Sequence, residues 1–261
     1  MIKVRPTAVA GRFYHRESDL LRQEIVSWLS PRDRDDRLRA VIVPHAGYRF
    51  SGQLAAEAFS YIQPLADKFS RVILLGPSHT MSFKGVAIPS VDLFVTPLGN
   101  VPVDKVLVEA LRDNPLVSQD DAPHAKEHCL EVQLPFLQQT LGEFSVLPIV
   151  YSRAMPWHLE ELLNDIWDPD DTLLVISSDL SHYHNYEEAT QLDGESMTMI
   201  EEFVPRLTPH QACGATGINT LLHLAQSRGW QLSRVGYMNS GDTGGDKNRV
   251  VGYVSYLVSQ V

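Results

Sequence analysis

Residues 172–182, TLLVISSDLSH, are apolar from Leu173 to Ile176 and polar from Ser177 onward, ending on His182. A run that is apolar at every position, rather than at alternate ones, fits a strand buried on both faces of a parallel sheet. The same shape occurs twice more. AVIVPHAGY at 40–48 is stopped by Pro44 and presents His45. RVILLGPSH at 71–79 is stopped by Gly76 and Pro77 and presents His79. Between such runs the period changes to that of helices. In DLLRQEIVSWL, Leu21, Ile25, Trp28 and Leu29 share one face, with Ser18 as the expected cap and Pro31 as the stop. Helices are expected over 103–112, around Leu159 to Ile166, over 187–203 and over 213–227. A leucine stripe in EHCLEVQLPFLQQTL predicts another, with Pro135 a kink or an early break. FSVLPIVY reads as a strand, and the last 25 or so residues as two strands joined by the glycine-rich segment GDTGGDKNR. Alternating strands and helices define an α/β fold, here a central, mostly buried β-sheet flanked by helices. No linker or repeat divides the chain, so residues 1–261 are expected to form one domain.

Composition excludes several classes of partner. The net charge is −10, with 22 basic against 32 acidic side chains, whereas nucleic acid and anionic lipid call for clustered Lys and Arg. The one dense charge run, RDRDDRLR at 32–39, mixes both signs and reads as a solvated loop. Two cysteines, Cys129 and Cys213, make no disulfide scaffold. The opening residues carry no signal-peptide pattern and no segment is apolar enough to span a membrane, so a cytoplasmic protein is expected.

The chemistry lies where the three strands end. In open α/β sheets the loops after strand C-termini build the ligand crevice. If the three strands are neighbours, His45, His79 and His182 converge there, with Asp179 beside His182. Taken singly, each histidine reads more readily as a hydrogen-bonded loop residue; their common position points to a site. Two or three imidazoles suit a divalent transition metal, and open positions on the ion make it catalytic. Cys213 sits just before an amphipathic stretch, where a helix N-terminus favours the thiolate, and Gly214 leaves room for close approach; a buried inert cysteine is the alternative. Glu127 and His128 can hold a metal-bound imidazole from behind, or can simply open a helix. Cys129 reads as packing. HExxH is absent, Ser177, Ser178 and Ser181 do not form GxSxG, and GDTGGDKNR reads as a connecting loop rather than a phosphate cradle. Of the other histidines, His124 and His184 are the candidates for lining a cleft.

VPHAGYRFSG, LLGPSH, EHCLEVQLPFL, SSDLSHY, the Cys213–Gly214 pair and an opening AGRFY occur in the order seen in the Memo family, which the chain resembles from about Pro6 to Tyr256. Bacterial and archaeal members are also named AmmeMemoRadiSam system protein B, which implies a radical-SAM protein as a partner. The family is similar in fold to class III extradiol ring-cleavage dioxygenases, which use non-haem Fe(II). The resemblance implies a metal cleft at one sheet edge, with His45, His79 and Cys213 as ligands. It also implies His182 as catalytic acid/base, Asp179 beside it, and Phe13 walling the cleft. A thiolate then stands where the dioxygenases keep a carboxylate. That shift favours zinc or copper(I) over iron, although iron remains the first expectation.

Three functions follow as expectations. The first is a non-haem iron oxidoreductase in which His182 moves protons. The second is a zinc hydrolase. The third is a non-catalytic module that binds a small molecule, a peptide or the radical-SAM partner in the metal cleft.

Overall fold

The computed structural model describes residues 2–261. Its main sheet has nine strands. Four parallel strands form the middle: β2 (Leu38–Val43), β9 (Thr172–Ser177), β3 (Arg71–Pro77) and β8 (Ser145–Ser152), side by side in that order. The first three are the apolar runs of the sequence, and every residue of β2 and β9 is buried. Beyond β8 come β4 (Gly85–Ile88) and β7 (Val117–Gln119). Beyond β2 comes β12 (Val250–Ser259), antiparallel, which also pairs with β10 (His182–His184) and β11 (Gln231–Asn239). Pro148 is tolerated inside β8 because β4 reaches β8 only from Val150 onward. A small second sheet orders β1 (Val4–Arg5), β5 (Leu93–Thr96) and β6 (Gly99–Pro102) as β1-β5-β6.

Helices flank the main sheet. They are α1 (Ser18–Trp28), α2 (Tyr48–Ser60), α3 (Lys105–Ala110), α4 (Ala122–Ala125), α5 (Leu134–Thr140), α6 (Pro156–Ile166), α7 (Tyr186–Glu201) and α8 (Ala215–Ser227). α8 packs on α6, β3 and β9, while α2 lies against β2, β11 and β12 and is backed by α1 and α5.

Three points differ from the sequence reading. Ser18 is the first residue of α1 rather than its cap; Glu17 stands at the cap position and makes no side-chain cap. The segment 127–141 is not one helix: residues 131–133 form a 3-10 turn, and Pro135 stands in the first turn of α5 rather than kinking a longer helix. α2 was not among the expected helices: its buried positions are mostly small, Ser51, Gly52, Ala55, Ala56 and Ala58, rather than a stripe of large apolar side chains. Close packing explains the choice: a Cβ on Gly52 would lie 2.7 Å from the Trp28 ring of α1. The start of α2 is fixed by a hydrogen bond from the Tyr48 amide to the Phe13 carbonyl, 2.7 Å.

The amino-terminal segment is tied to the sheet by a buried charge cluster. Glu131 is fully buried and accepts hydrogen bonds from the Arg5 guanidinium, the amides of Ala8 (2.7 Å) and Val9 (3.1 Å) and the Tyr14 hydroxyl (2.5 Å). Arg5 donates further to the carbonyls of His124 and Glu127. A buried charge is tolerated only when paired and hydrogen-bonded in this way. Burial and the neighbouring Glu131 carboxylate push the Tyr14 phenol well above its ordinary range.

Candidate metal centre

β9 lies between β2 and β3, so the turns after their C-terminal ends are adjacent. His45 follows β2, His79 follows β3, and Asp179 follows β9. The third imidazole that joins His45 and His79 is that of His128. Ring centroids are 5.0 Å apart for His45–His79, 5.3 Å for His45–His128 and 4.6 Å for His79–His128. One ring nitrogen from each lies within 4.8 Å of the others. His182 stands further out and lines the cleft above them, together with Phe13, Phe50, Asp179 and Tyr183; the cleft volume is about 480 Å³.

Each Nδ1 has a partner behind it. His45 Nδ1 lies 3.0 Å from Ser177 Oγ. The Ser177 hydroxyl donates to the Cys129 carbonyl (2.7 Å), so toward His45 it can only accept. His45 therefore carries its proton on Nδ1, and its Nε2 lone pair faces Cys213 Sγ at 3.3 Å. Burial first, then the neighbouring imidazoles, hold the His45 pKa well below its usual value, so the ring is neutral and free to coordinate. Glu127 serves the other two rings: its Oε1 is 2.9 Å from His79 Nδ1 and 3.2 Å from His128 Nδ1. The same carboxylate accepts from the backbone amides of His79 (2.6 Å), His128 (3.0 Å) and Cys129 (3.2 Å). Burial opposes its charge, but hydrogen bonds from His128 and His79 outweigh burial and hold the carboxyl well below the usual range. Carboxylate behind imidazole is the arrangement that orients metal-bound histidines.

Cys213 comes from the turn before α8. A Cβ on Gly214 would lie 2.5 Å from Ser178 Cβ, so only glycine lets this turn press against the end of β9. The Gly214 amide donates to Ser178 Oγ (2.9 Å), and the Asp179 amide donates to Cys213 Sγ (3.3 Å). Asp179 Oδ1 in turn accepts from the His45 amide at 2.7 Å, and burial pushes its carboxyl pKa up.

The donor set fits a transition metal. Bond lengths of about 2.0–2.1 Å to nitrogen and 2.3 Å to sulfur put two ligands of one tetrahedral ion roughly 3.5 Å apart, close to the 3.3 Å between His45 Nε2 and Cys213 Sγ. Burial disfavours a charge on His79, yet hydrogen bonds to Cys213 and Glu127 push its pKa up to about 10. His128 was legible only as support for an imidazole, because it follows no strand; its place in the cluster comes from the 3-10 turn after it. Cys129 is buried, its thiol pushed up by burial and donating to the Pro77 carbonyl. His124 does not line the cleft: it is buried with Nε2 3.1 Å from the Ala87 carbonyl. His184 lies outside it too, 3.9 Å from Glu188.

A helix-flanked mixed sheet with a nitrogen-and-sulfur cluster at the ends of its parallel strands defines an α/β protein with a candidate metal centre. The chain belongs to the Memo family. The Memo-like protein family matches residues 5–257. A MEMO1 family protein of Aquifex aeolicus is 35% identical over 273 residues, covering 98% of this chain and 99% of the relative. One from Sulfolobus acidocaldarius is 34% identical, covering 97% and 98%. Among solved structures, the uncharacterized protein JW3007 from Escherichia coli K12 is similar with a TM-score of 0.51 at 13% identity, covering 85% of this chain and 99% of that one; this likeness speaks for the fold. No helix among the described residues is long and apolar enough to cross a membrane.

Proposed function

We propose that the chain is a metal-dependent oxidoreductase of the non-haem iron, dioxygenase-like kind, with His45, His79 and Cys213 as ligands and a small ring-bearing molecule as substrate. The observation that carries this reading is the pairing of every clustered imidazole at Nδ1, by Ser177 or Glu127, while His45 Nε2 faces the Cys213 thiol beside an open cleft. Bound Fe(II) with open positions would supply the redox chemistry. The chain's own residues do the rest. Ser177 fixes the tautomer of His45, Glu127 orients His79 and His128, and Phe13 and Phe50 form apolar walls that exclude water. His182, which lines the cleft with Asp179, would take or return a proton at a bound hydroxyl. His128 offers a further nitrogen donor next to the proposed three. A peptide ligand and a radical-SAM partner at the same cleft are the non-catalytic variant of this reading.

A second reading, a zinc hydrolase, is favoured by the softness of the donor set, which is nitrogen and sulfur. Metal content by mass spectrometry and EPR on anaerobically purified wild type and Cys213→Ala separates them. Near-stoichiometric iron lost in the variant, followed by iron-dependent oxygen uptake with a panel of diphenols, is the expected result. Zinc with oxygen-independent ester hydrolysis overturns the iron reading. His182→Ala is expected to keep the metal and lose turnover; loss of metal would make His182 a ligand instead.

A further inference from the structure

The glycine-rich segment between β11 and β12 is a rigid turn that ends at the mouth of the cleft. Within it the Gly245 amide donates to the Ser240 carbonyl (2.8 Å), and a Cβ on Gly245 would lie 2.6 Å from that oxygen. Asp242 anchors the turn by accepting from the Asn239 amide (2.9 Å) and the Tyr186 hydroxyl (2.7 Å). The Tyr186 amide donates to the Lys247 carbonyl at 2.9 Å. The product of this frame is the position of Arg249, whose backbone amide is held by the Asp246 carbonyl and whose guanidinium lies 4.2 Å from the centroid of the Tyr183 ring.

Tyr183 is unusual in its own right. Its φ is +67°, a left-handed conformation that costs a non-glycine residue strain, and its ring is 61% exposed. The strained backbone holds an aromatic plate at the cleft mouth beside His182, and Arg249 stacks on it. Stacking occupies the face of the guanidinium and leaves its in-plane N–H fork free. Among the described residues that fork meets no carboxylate within salt-bridge range, although the chain carries a net charge of −10. The cleft's own acids are engaged elsewhere: Asp246 accepts from the Asn248 amide and side chain (2.9 Å each), and Asp179 from the His45 amide. Arg249 is the one Lys or Arg among the described residues that line the cleft.

We infer that Arg249, stacked on Tyr183, is the subsite for a carboxylate, and that the ligand class of the cleft is an aromatic acid: ring between the aromatic walls, carboxylate on the Arg249 fork, polar end toward the histidines. A planar fork is suited to bidentate carboxylate recognition, and the cleft volume of about 480 Å³ is within the range of small-molecule sites. The inference rests on the cleft being the ligand site of the reading above, but not on which metal it holds or whether oxygen reacts there.

The test uses benzoate and its uncharged isostere benzamide as probes, titrated by NMR into the metal-free full chain. Wild type is expected to bind benzoate at least about tenfold more tightly than benzamide, as a charge-assisted hydrogen-bonded pair implies. Arg249→Met, an exposed position whose change leaves the core intact, is expected to abolish that preference, and Arg249→Lys to restore only part of it. Absence of saturable benzoate binding to wild type overturns the inference, as does a preference that survives Arg249→Met. Failed oxygen uptake with an intact benzoate preference counts against the oxidoreductase reading alone.

Discussion

Replacing Glu127 by Gln tests the candidate centre at the group on which two of its imidazoles depend. The change keeps the size of the side chain and removes the charge. Glu127 now accepts at 2.6 and 2.9 Å from the amide and Nδ1 of His79, at 3.0 and 3.2 Å from the amides of His128 and Cys129, and pairs with His128 Nδ1 at 3.2 Å. An amide offers acceptors at one end only, so its NH₂ must confront at least one of these donors. Partners behind metal-bound histidines are worth roughly 10–100-fold in metal affinity, or about 1.4–2.7 kcal/mol. The confronted donor adds about 1–3 kcal/mol of lost stability in the metal-free protein. The assay is competition for Zn²⁺ and, anaerobically, Fe²⁺ against a chromophoric chelator, with melting of the metal-free forms in parallel. Affinity within about threefold of wild type in a folded variant would refute the role given to Glu127.

Three more outcomes are expected. Arg5→Met strands the buried Glu131 carboxylate, costing about 3–5 kcal/mol and on the order of 10 °C in melting temperature; adding Glu131→Gln should recover part of it, and an unchanged melt would contradict the pairing. His124, held down to about 4 by burial with partial compensation from the Ala87 carbonyl, makes stability fall with pH. Between about 6.5 and 4 the unfolded chain binds a proton that the folded chain refuses, at about 1.4 kcal/mol per unit. Buried His45 adds a slope of the same sign, so denaturant titrations should show a slope shallower by about this amount in His124→Gln than in wild type, and equal slopes would exclude it. Gly214→Ala places a methyl 2.5 Å from Ser178 Cβ, with about 1–3 kcal/mol of strain and weakened metal binding because Cys213 must move; wild-type affinity would show that the turn yields freely.

The strands were legible because burial on both faces writes an uninterrupted apolar run, as in Val41 to Val43 and Leu173 to Ile176. Their adjacency was not, since nothing local says that residue 40 pairs with 174. α2 was missed because its buried face is made mostly of small residues, although Arg49, Gln53 and Glu57 mark a polar face at helical spacing. His45, His79 and Asp179 were visible as strand-end residues. His128 was not distinguishable from a helix-start residue, since its approach to the other rings depends on the 3-10 turn and on the Arg5–Glu131 cluster that fastens it. Arg249 looked like part of a plain connecting loop; only the left-handed backbone of Tyr183, on a different segment, gives it a stacking partner.

β12 has a kinetic meaning. One edge of β12 is lined by β11, the other by β10 at its start and β2 at its end, so the β2 edge closes only by pairing with a segment roughly two hundred residues further along the chain. The wall that carries Arg249, and the β10 segment that carries His182 and Tyr183, are held in place by the same strand. Detaching β12 would therefore leave the histidine cluster on the parallel strands with exposed imidazoles and thiol, an unpaired β2 edge and no pocket above them.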